Sequence, residues 1–93
     1  MSSVLVTVSA FGLWQMILGA KRRQVETNGQ TLRDLIKTLD DSTSGELEKQ
    51  VLATNGKLDA KFRIFVNGKA SDTLDTTLTD GDDVLLFSVI DGG

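Results

Sequence analysis

The 93-residue sequence contains no cysteine and no histidine. Without cysteine the chain can form no disulfide bond, no thiolate metal site or iron–sulfur cluster, and no cysteine nucleophile. Without histidine it lacks the usual acid or base near neutral pH and the commonest transition-metal ligand. A catalytic site would have to rely on carboxylates, lysines or hydroxyls, so the composition argues against an autonomous enzyme.

Positive charge and long hydrophobic runs are also scarce. The 10 Lys and Arg residues against 13 Asp and Glu residues give a net charge of -3. Because an acidic surface repels phosphate backbones, we expect no nucleic-acid partner. The apolar stretch at residues 11–20 is too short to span a bilayer, and no targeting segment is visible. We therefore expect no membrane partner and a cytoplasmic location.

Two charged clusters have simple interpretations. The basic cluster Lys21-Arg22-Arg23 has no interleaved aromatic residues, and it is either a solvated strand entry or a local contact with a partner. The acidic residues Asp80, Asp82 and Asp83 surround Gly81 without the spacing of an EF-hand loop. We predict a turn there and no metal site.

The apolar pattern predicts a small set of strands and helices. Alternation predicts strands over 3–10, 62–66 and 84–89, and a helix begins at the N-cap Thr31, with Asp34 completing a capping box. This helix is predicted to end at 40–45. The weaker elements are a helical turn at 13–18, a strand at 20–27, a short helix at 46–53, and a hairpin at Asn67-Gly68 leading into a brief strand at 69–70.

This order predicts an α+β fold of the β-grasp (ubiquitin-like) type, with a mixed four- to five-stranded sheet and one main helix across one face. The first and last strands must then be adjacent and parallel in the centre of the sheet. Composition and length fit one domain, which we place at residues 1–89. Residues 90–93 are predicted to leave the domain as a tail without further apolar pattern.

The sheet face opposite the helix is predicted to carry large apolar side chains. If Val4, Ile64 and Val84 point to the helix, alternation turns another set away from it. Either the helical turn at 13–18 covers part of that face, or the face is a docking surface for a protein partner with Arg63 at its rim. The predicted partner-binding side chains are Leu5, Phe65, Leu85 and Phe87.

The sequence ends in Gly92-Gly93. Two terminal glycines can be a frayed end. They also make a thin, extended lead without side chains, such as a terminal carboxylate needs to enter the active site of another enzyme. Because the glycines follow directly after the last strand of a β-grasp pattern, we favour the second interpretation.

Motifs spread over nearly the whole chain resemble the MoaD/ThiS sulfur-carrier superfamily, and in particular the small subunit of molybdopterin synthase. They are Phe11-Gly12-Leu13, Gly19, Val25, Thr31-Leu32-Arg33-Asp34-Leu35, Ile64-Phe65-Val66-Asn67-Gly68-Lys69, Leu78-Thr79-Asp80-Gly81-Asp82-Asp83-Val84 and the terminal Gly92-Gly93.

The resemblance implies a mechanism in which partner proteins do the chemistry. A ubiquitin-activating-type enzyme uses ATP to adenylate the carboxylate of Gly93, and a persulfide donor then leaves a thiocarboxylate there. Gly92 threads the tail into an acceptor enzyme, such as the large subunit of a molybdopterin synthase. The carrier itself binds no cofactor. Asp91 stands where family members often have Ala or Thr, and we expect it to influence which enzymes accept the tail.

Three functions remain open from the sequence. The first is a sulfur carrier in a biosynthetic pathway. The second is a ubiquitin-like modifier joined through Gly93 to lysines of target proteins. The third is a plain interaction domain whose tail has no role.

Overall fold

The computed structural model describes residues 3–19, 21–71 and 73–88, and they form the predicted β-grasp arrangement. The strands are β1 (Ser3–Ala10), β2 (Arg22–Asn28), β3 (Phe62–Val66), β4 (Lys69–Ala70) and β5 (Asp83–Ser88), and the helices are α1 (Leu13–Leu18), α2 (Leu32–Ser42) and α3 (Glu46–Val51). The strands make a five-stranded mixed sheet in the order β2-β1-β5-β3-β4. Within the described ranges, no helix is long and apolar enough to cross a membrane.

The first and last strands are the parallel central pair, as the sequence predicts. Val8 pairs with Val84 and Ala10 with Leu86, while β2 lies antiparallel on the other side of β1 and β3 lies antiparallel beside β5. The predicted hairpin at Asn67 is confirmed, with φ of 52° at that residue. This left-handed conformation is one that asparagine tolerates better than most residues in a tight turn.

Helix α2 begins with the predicted capping box. The Asp34 N–H donates to Thr31 Oγ1 at 3.2 Å, and the Thr31 N–H donates back to the Asp34 carboxylate at 3.2 Å. The helix then presents one apolar stripe to the sheet at intervals of three and four residues. The stripe is completely or almost completely buried and consists of Leu32, Leu35, Ile36 and Leu39.

The end of α2 falls within the predicted range of 40–45. The helix continues through Asp40 and Asp41 to Ser42. Asp40 is half-buried and its carboxylate accepts from the Glu48 N–H at 3.0 Å, while Ser42 Oγ donates to the Leu39 carbonyl at 2.7 Å. The chain turns away at Gly45, whose φ of 85° is left-handed.

Several element boundaries differ from the prediction by one or two residues. Strand β2 begins at Arg22 and not at 20, and α3 ends at Val51 and not at 53. Strand β5 begins one residue early, at Asp83, and Val89, the predicted end of this strand, lies outside the described residues. The short elements depend on few local contacts, so their ends follow tertiary pairing more than local pattern.

Two core residues come from a segment with a weak apolar pattern. Leu74 and Leu78, in the irregular stretch before β5, are buried in the core cluster. The Arg33 N–H donates to the Leu74 carbonyl at 2.9 Å and the Leu78 N–H donates to the Gln30 carbonyl. This segment therefore follows α2 through backbone hydrogen bonds although it forms no regular element.

Candidate functional site

The outer sheet face, opposite α2, carries the predicted apolar residues in two separate places. Phe65 lies directly opposite Leu85 across the β3–β5 pair, and Phe87 lies opposite Arg63. Directly opposed side chains on one face approach within about 5 Å at their Cβ atoms. Phe65 and Leu85 are consequently half-buried, while Phe87 is 43% exposed.

Phe11 extends this surface, although it is not among the partner-binding residues predicted from the sequence. Its N–H donates to the Leu86 carbonyl at 2.9 Å, which continues the parallel pairing one residue past Ala10. Phe11 therefore lies beside Phe87, and it is also 43% exposed. The signal was present, because Phe11 continues the odd-numbered outward series of β1. We call Phe11, Phe65, Leu85 and Phe87 the outer apolar band.

Leu5 does not join the outer apolar band. In the β1–β5 register Ser9 lies beside Leu85, and Leu5 is four residues earlier on β1, or ~13 Å away along the strand. Thr7 and its neighbour Asp83 lie between them. Leu5 is 47% exposed, so it is an isolated apolar residue at the opposite end of the sheet. Grouping by outward direction alone could not separate it, because direction does not give register.

Helix α1 does not cover the outer face, so the first of the two interpretations left open by the sequence does not hold. Its Trp14 is fully buried among the core residues and meets the Phe62 ring edge-on, with ring centroids 5.2 Å apart. Phe62 is an inward residue of β3. Helix α1 therefore packs on the same side of the sheet as the core, and the outer apolar band stays open to solvent.

The segment around α1 holds the end of β5 in place. The Trp14 indole N–H donates to the Phe87 carbonyl at 3.0 Å, and the Leu13 N–H donates to Ser88 Oγ at 3.1 Å. Gly12 makes this approach possible, because its φ is 63° and a Cβ atom there would overlap the Ser88 hydroxyl. The strand that leads to the C-terminal glycines is thus anchored up to its last described residue.

Charge on the outer face is divided between its two ends. Arg63 borders the outer apolar band, and Arg22 lies across Ser9 from Leu85. The far end carries Glu26, which is paired with Leu5 on the neighbouring strand. The end of the sheet from which the C-terminal residues follow is therefore apolar and basic.

The acidic turn before β5 serves the fold. Asp82 accepts hydrogen bonds from Asn67 Nδ2 at 2.9 Å and from the Thr79 N–H at 2.8 Å. These bonds, the Asn67 side chain first, hold the pKa of Asp82 below its usual range. Asp80 accepts from the Leu5 N–H at 2.8 Å. In the part of the chain that the structure describes, no three acidic side chains converge as metal ligands.

The predicted reactive end lies outside the described residues. Asp91, Gly92 and Gly93 are the predicted selector, threading residue and activated residue, and the structure describes none of the three. Their roles are therefore argued below from the sequence and from the strand that precedes them.

Comparison with known families decides the class of the protein. A model of the ThiS family matches residues 8–93, which includes both terminal glycines. The chain belongs to the ThiS family. Among curated proteins, none matches its sequence significantly.

Solved structures agree with the family and with the fold. The putative molybdopterin converting factor subunit 1 of Pyrococcus furiosus is 29% identical, with 94% of this chain and 99% of that chain covered and a TM-score of 0.73. A chain of the Amycolatopsis orientalis BexX/CysO complex is 26% identical, with 95% and 99% covered and a TM-score of 0.73. SAMP1 of Haloferax volcanii is 24% identical, with 96% and 99% covered and a TM-score of 0.80, and shows the fold alone.

The protein is thus a small carrier of the ThiS/MoaD type. Family membership agrees with the composition, since a carrier whose chemistry is done by other enzymes needs neither cysteine nor histidine. The remaining question is what its C-terminal glycine carries.

Proposed function

We propose that this ThiS-family protein is a sulfur carrier whose Gly93 carboxylate is converted to a thiocarboxylate. The supporting observation is the family match, which extends through both glycines to the last residue. A carboxylate is a poor electrophile, so it must first attack the α-phosphorus of ATP in a ubiquitin-activating-type enzyme, releasing pyrophosphate and forming an acyl-adenylate. This step gives the acyl carbon AMP as a good leaving group.

Sulfur enters from a persulfide donor. The terminal sulfur of the persulfide attacks the acyl carbon of Gly93 and displaces AMP, giving an acyl disulfide. A second thiol then cleaves the sulfur–sulfur bond and leaves the thiocarboxylate. Gly92 and Gly93 together supply a narrow backbone, and an extended lead over 90–93 reaches ~13 Å at ~3.3 Å per residue, which is long enough to enter a partner's active site.

The outer apolar band is the surface proposed to dock the partner enzymes. It lies on β5 and its neighbours, at the same end of the sheet as Ser88, so a partner that binds there is also close to the start of the tail. Large aromatic side chains with an arginine at the rim are the usual composition of a protein interface. The anchoring of β5 by Trp14 and Leu13 limits the positions from which the tail can start.

A molybdopterin-type acceptor is the proposed destination of the sulfur, acting in the cytoplasm. Its support is the likeness to the Pyrococcus furiosus molybdopterin converting factor subunit. The likeness to a chain from the BexX/CysO complex supports the broader expectation that such a domain binds a partner protein. Asp91 remains our candidate for the residue that selects among acceptors.

Intact mass tests the carrier proposal directly. The protein is incubated with its activating enzyme, ATP and a persulfide donor, and its mass should rise by the difference between one sulfur and one oxygen atom. A variant without Gly92 and Gly93 should show the same unfolding curve and no mass change. Absence of the sulfur-containing species in the complete mixture contradicts the proposal.

The same mixture separates the carrier from the modifier. Likeness to SAMP1 keeps the modifier as the second candidate. For a modifier, digestion of target proteins should show lysines carrying the C-terminal peptide that ends in Gly93. Lysine conjugates without any thiocarboxylate would favour the modifier, and retained biological activity after removal of both glycines would favour a plain interaction domain.

Matched substitutions test the docking surface. Phe87→Ser and Phe11→Ser should each weaken capture by the activating enzyme at least tenfold, as buried aromatic anchors do on truncation. Leu5→Ser is the control, since Leu5 has nearly the same exposure, 47% against 43%. If Leu5→Ser weakens capture as much as Phe87→Ser, then the partner covers the whole outer face, as the sequence grouping predicts.

A further inference from the structure

Strand β2 is an edge of the sheet with unused backbone groups, and it is remote from the outer apolar band. It is the first strand in the order β2-β1-β5-β3-β4. The Ala10 N–H donates to the Lys21 carbonyl at 2.7 Å. Ala10 and Lys21 are therefore a hydrogen-bonded pair, and the next pair, Ser9 and Arg22, is a non-hydrogen-bonded one. By the same alternation, the backbone N–H and C=O groups of Arg23 and Val25 face β1.

The alternate residues of β2 consequently direct their backbone groups away from the sheet. These residues are Arg22, Gln24 and Glu26, and all three are exposed. The same alternation explains why the Asn28 N–H donates to Thr38 Oγ1, at 3.2 Å, and not to β1. Among the described residues, the backbone hydrogen bonds outside the regular elements include none to these three. They form a short free edge.

Charge along this edge is self-complementary. Lys21, Arg22 and Arg23 make one end basic, and Glu26 makes the other end acidic. Arg23 lies on the inner face of β2, as Val25 does, and inward charges are one device that protects sheet edges from pairing. On the outer face the middle residue is the uncharged Gln24, and the opposite charges of Arg22 and Glu26 lie symmetrically on either side of it.

We propose that a second copy of this chain pairs with β2 in antiparallel orientation, with the two-fold axis at Gln24. In this register Arg22 lies opposite Glu26 of the second copy, twice by symmetry, and Gln24 lies opposite Gln24. Each of the three facing pairs is of the hydrogen-bonded kind, with two backbone bonds per pair. The arginine–glutamate pairs lie on the outer face, where opposite charges across strands are stabilising.

Neighbouring registers lose this match. If the strands slip so that Arg23 becomes the two-fold residue, Arg23 faces Arg23 of the second copy and Glu26 no longer faces Arg22. Slipping the other way, to Val25, places Arg22 opposite Asn28. The dimer leaves the outer apolar band free, since β1 separates β2 from β5. It is therefore independent of the proposed carrier function.

The dimer is expected to be weak, because pairing of two short edge strands buries less than the ~1,200 Å² of a standard interface. Sedimentation velocity from micromolar to millimolar protein, at physiological ionic strength, should show reversible association. The net charge of -3 on each copy opposes association over long range, and salt screens that repulsion beyond about 8 Å.

Charge reversal tests the register. Arg22→Glu and Glu26→Arg should each weaken association about tenfold, since each creates two like-charged pairs. The double variant Arg22→Glu/Glu26→Arg restores opposite pairs and should return to within about threefold of the original affinity. Lys49→Glu, on the exposed side of α3, makes the same net-charge change as Arg22→Glu away from the edge and should leave association unchanged.

A cysteine probe gives a second test, because the sequence contains no other cysteine. In the proposed dimer the Cα atoms of the two Gln24 residues are about 5.5 Å apart, within disulfide range. Gln24→Cys should therefore oxidise to a covalent dimer faster than Met16→Cys, whose side chain is 78% exposed on α1. A strictly monomeric protein at millimolar concentration, a double variant that stays weak, or equal oxidation rates would each overturn the proposal.

Discussion

Replacing Trp14 by phenylalanine should cause a large loss of stability although the helix that carries it has only six residues. The indole is fully buried against Phe62, and its N–H donates to the Phe87 carbonyl at 3.0 Å. Phenylalanine keeps most of the apolar volume but cannot donate this hydrogen bond. The substitution therefore tests whether α1 anchors the end of β5.

The expected magnitude has two parts. The lost hydrogen bond accounts for about 1 kcal/mol. The smaller ring leaves unfilled space and removes buried apolar area worth about 1–2 kcal/mol. The free energy of unfolding of Trp14→Phe should thus fall by about 2–3 kcal/mol, which lowers Tm by roughly 10–20 °C for a domain of this size.

Circular dichroism during urea and thermal unfolding measures the change, because the substitution removes the only tryptophan and with it the fluorescence signal. Met16→Ala is the control on the same helix, and as a change at an exposed surface position it should alter stability by less than about 0.5 kcal/mol. If Trp14→Phe also changes stability by less than about 0.5 kcal/mol, then α1 does not anchor β5.

Substitutions of two carboxylates should change the free energy of unfolding in opposite directions at pH 7, and both changes should depend on pH. Asp82→Ala should cost about 1 kcal/mol at pH 7, because Asp82 accepts from Thr79 and Asn67. The pKa of Asp82 is lowered from 3.8, so this stabilisation should be lost as pH falls through its folded-state pKa. The pKa of Glu48 is raised from 4.5, first because the carboxyl group is desolvated by burial and then because the negative charge of Asp40 lies nearby. Glu48→Gln should therefore stabilise at pH 7, by less than about 1 kcal/mol, and the gain should vanish below pH 4. Urea unfolding of both variants at several pH values measures these differences, and pH-independent differences would contradict both assignments.

Most secondary structure follows from local patterns in the sequence. Alternation over β1 and β3, the capping box between Thr31 and Asp34, and the Asn67-Gly68 turn each involve residues only a few positions apart. Their geometry is therefore encoded within one short window. Even the parallel central pair could be predicted, since the helix needs a continuous sheet to cover.

The candidate site could be predicted only in part. Alternation identifies Phe65, Leu85 and Phe87 as outward residues, and composition explains why the chemistry must belong to partners. The separation of Leu5 from Phe87 depends on the register between β1 and β5. This register is a property of the paired strands, so the pattern within either strand alone does not reveal it. The burial of Trp14 also could not be predicted from local pattern, because its hydrogen-bond partner Phe87 is 73 residues away in the sequence.

The sequence by itself thus determines the terminal Gly92-Gly93, the absence of catalytic cysteine and histidine, and the strands and helices that depend on local pattern. Only the tertiary structure decides which outward residues are neighbours, that Phe11 extends the outer apolar band, and that α1 anchors β5 and leaves that band open. The physical reason is that these features depend on pairing and packing between segments at opposite ends of the chain. Such contacts form only when the whole sheet is assembled.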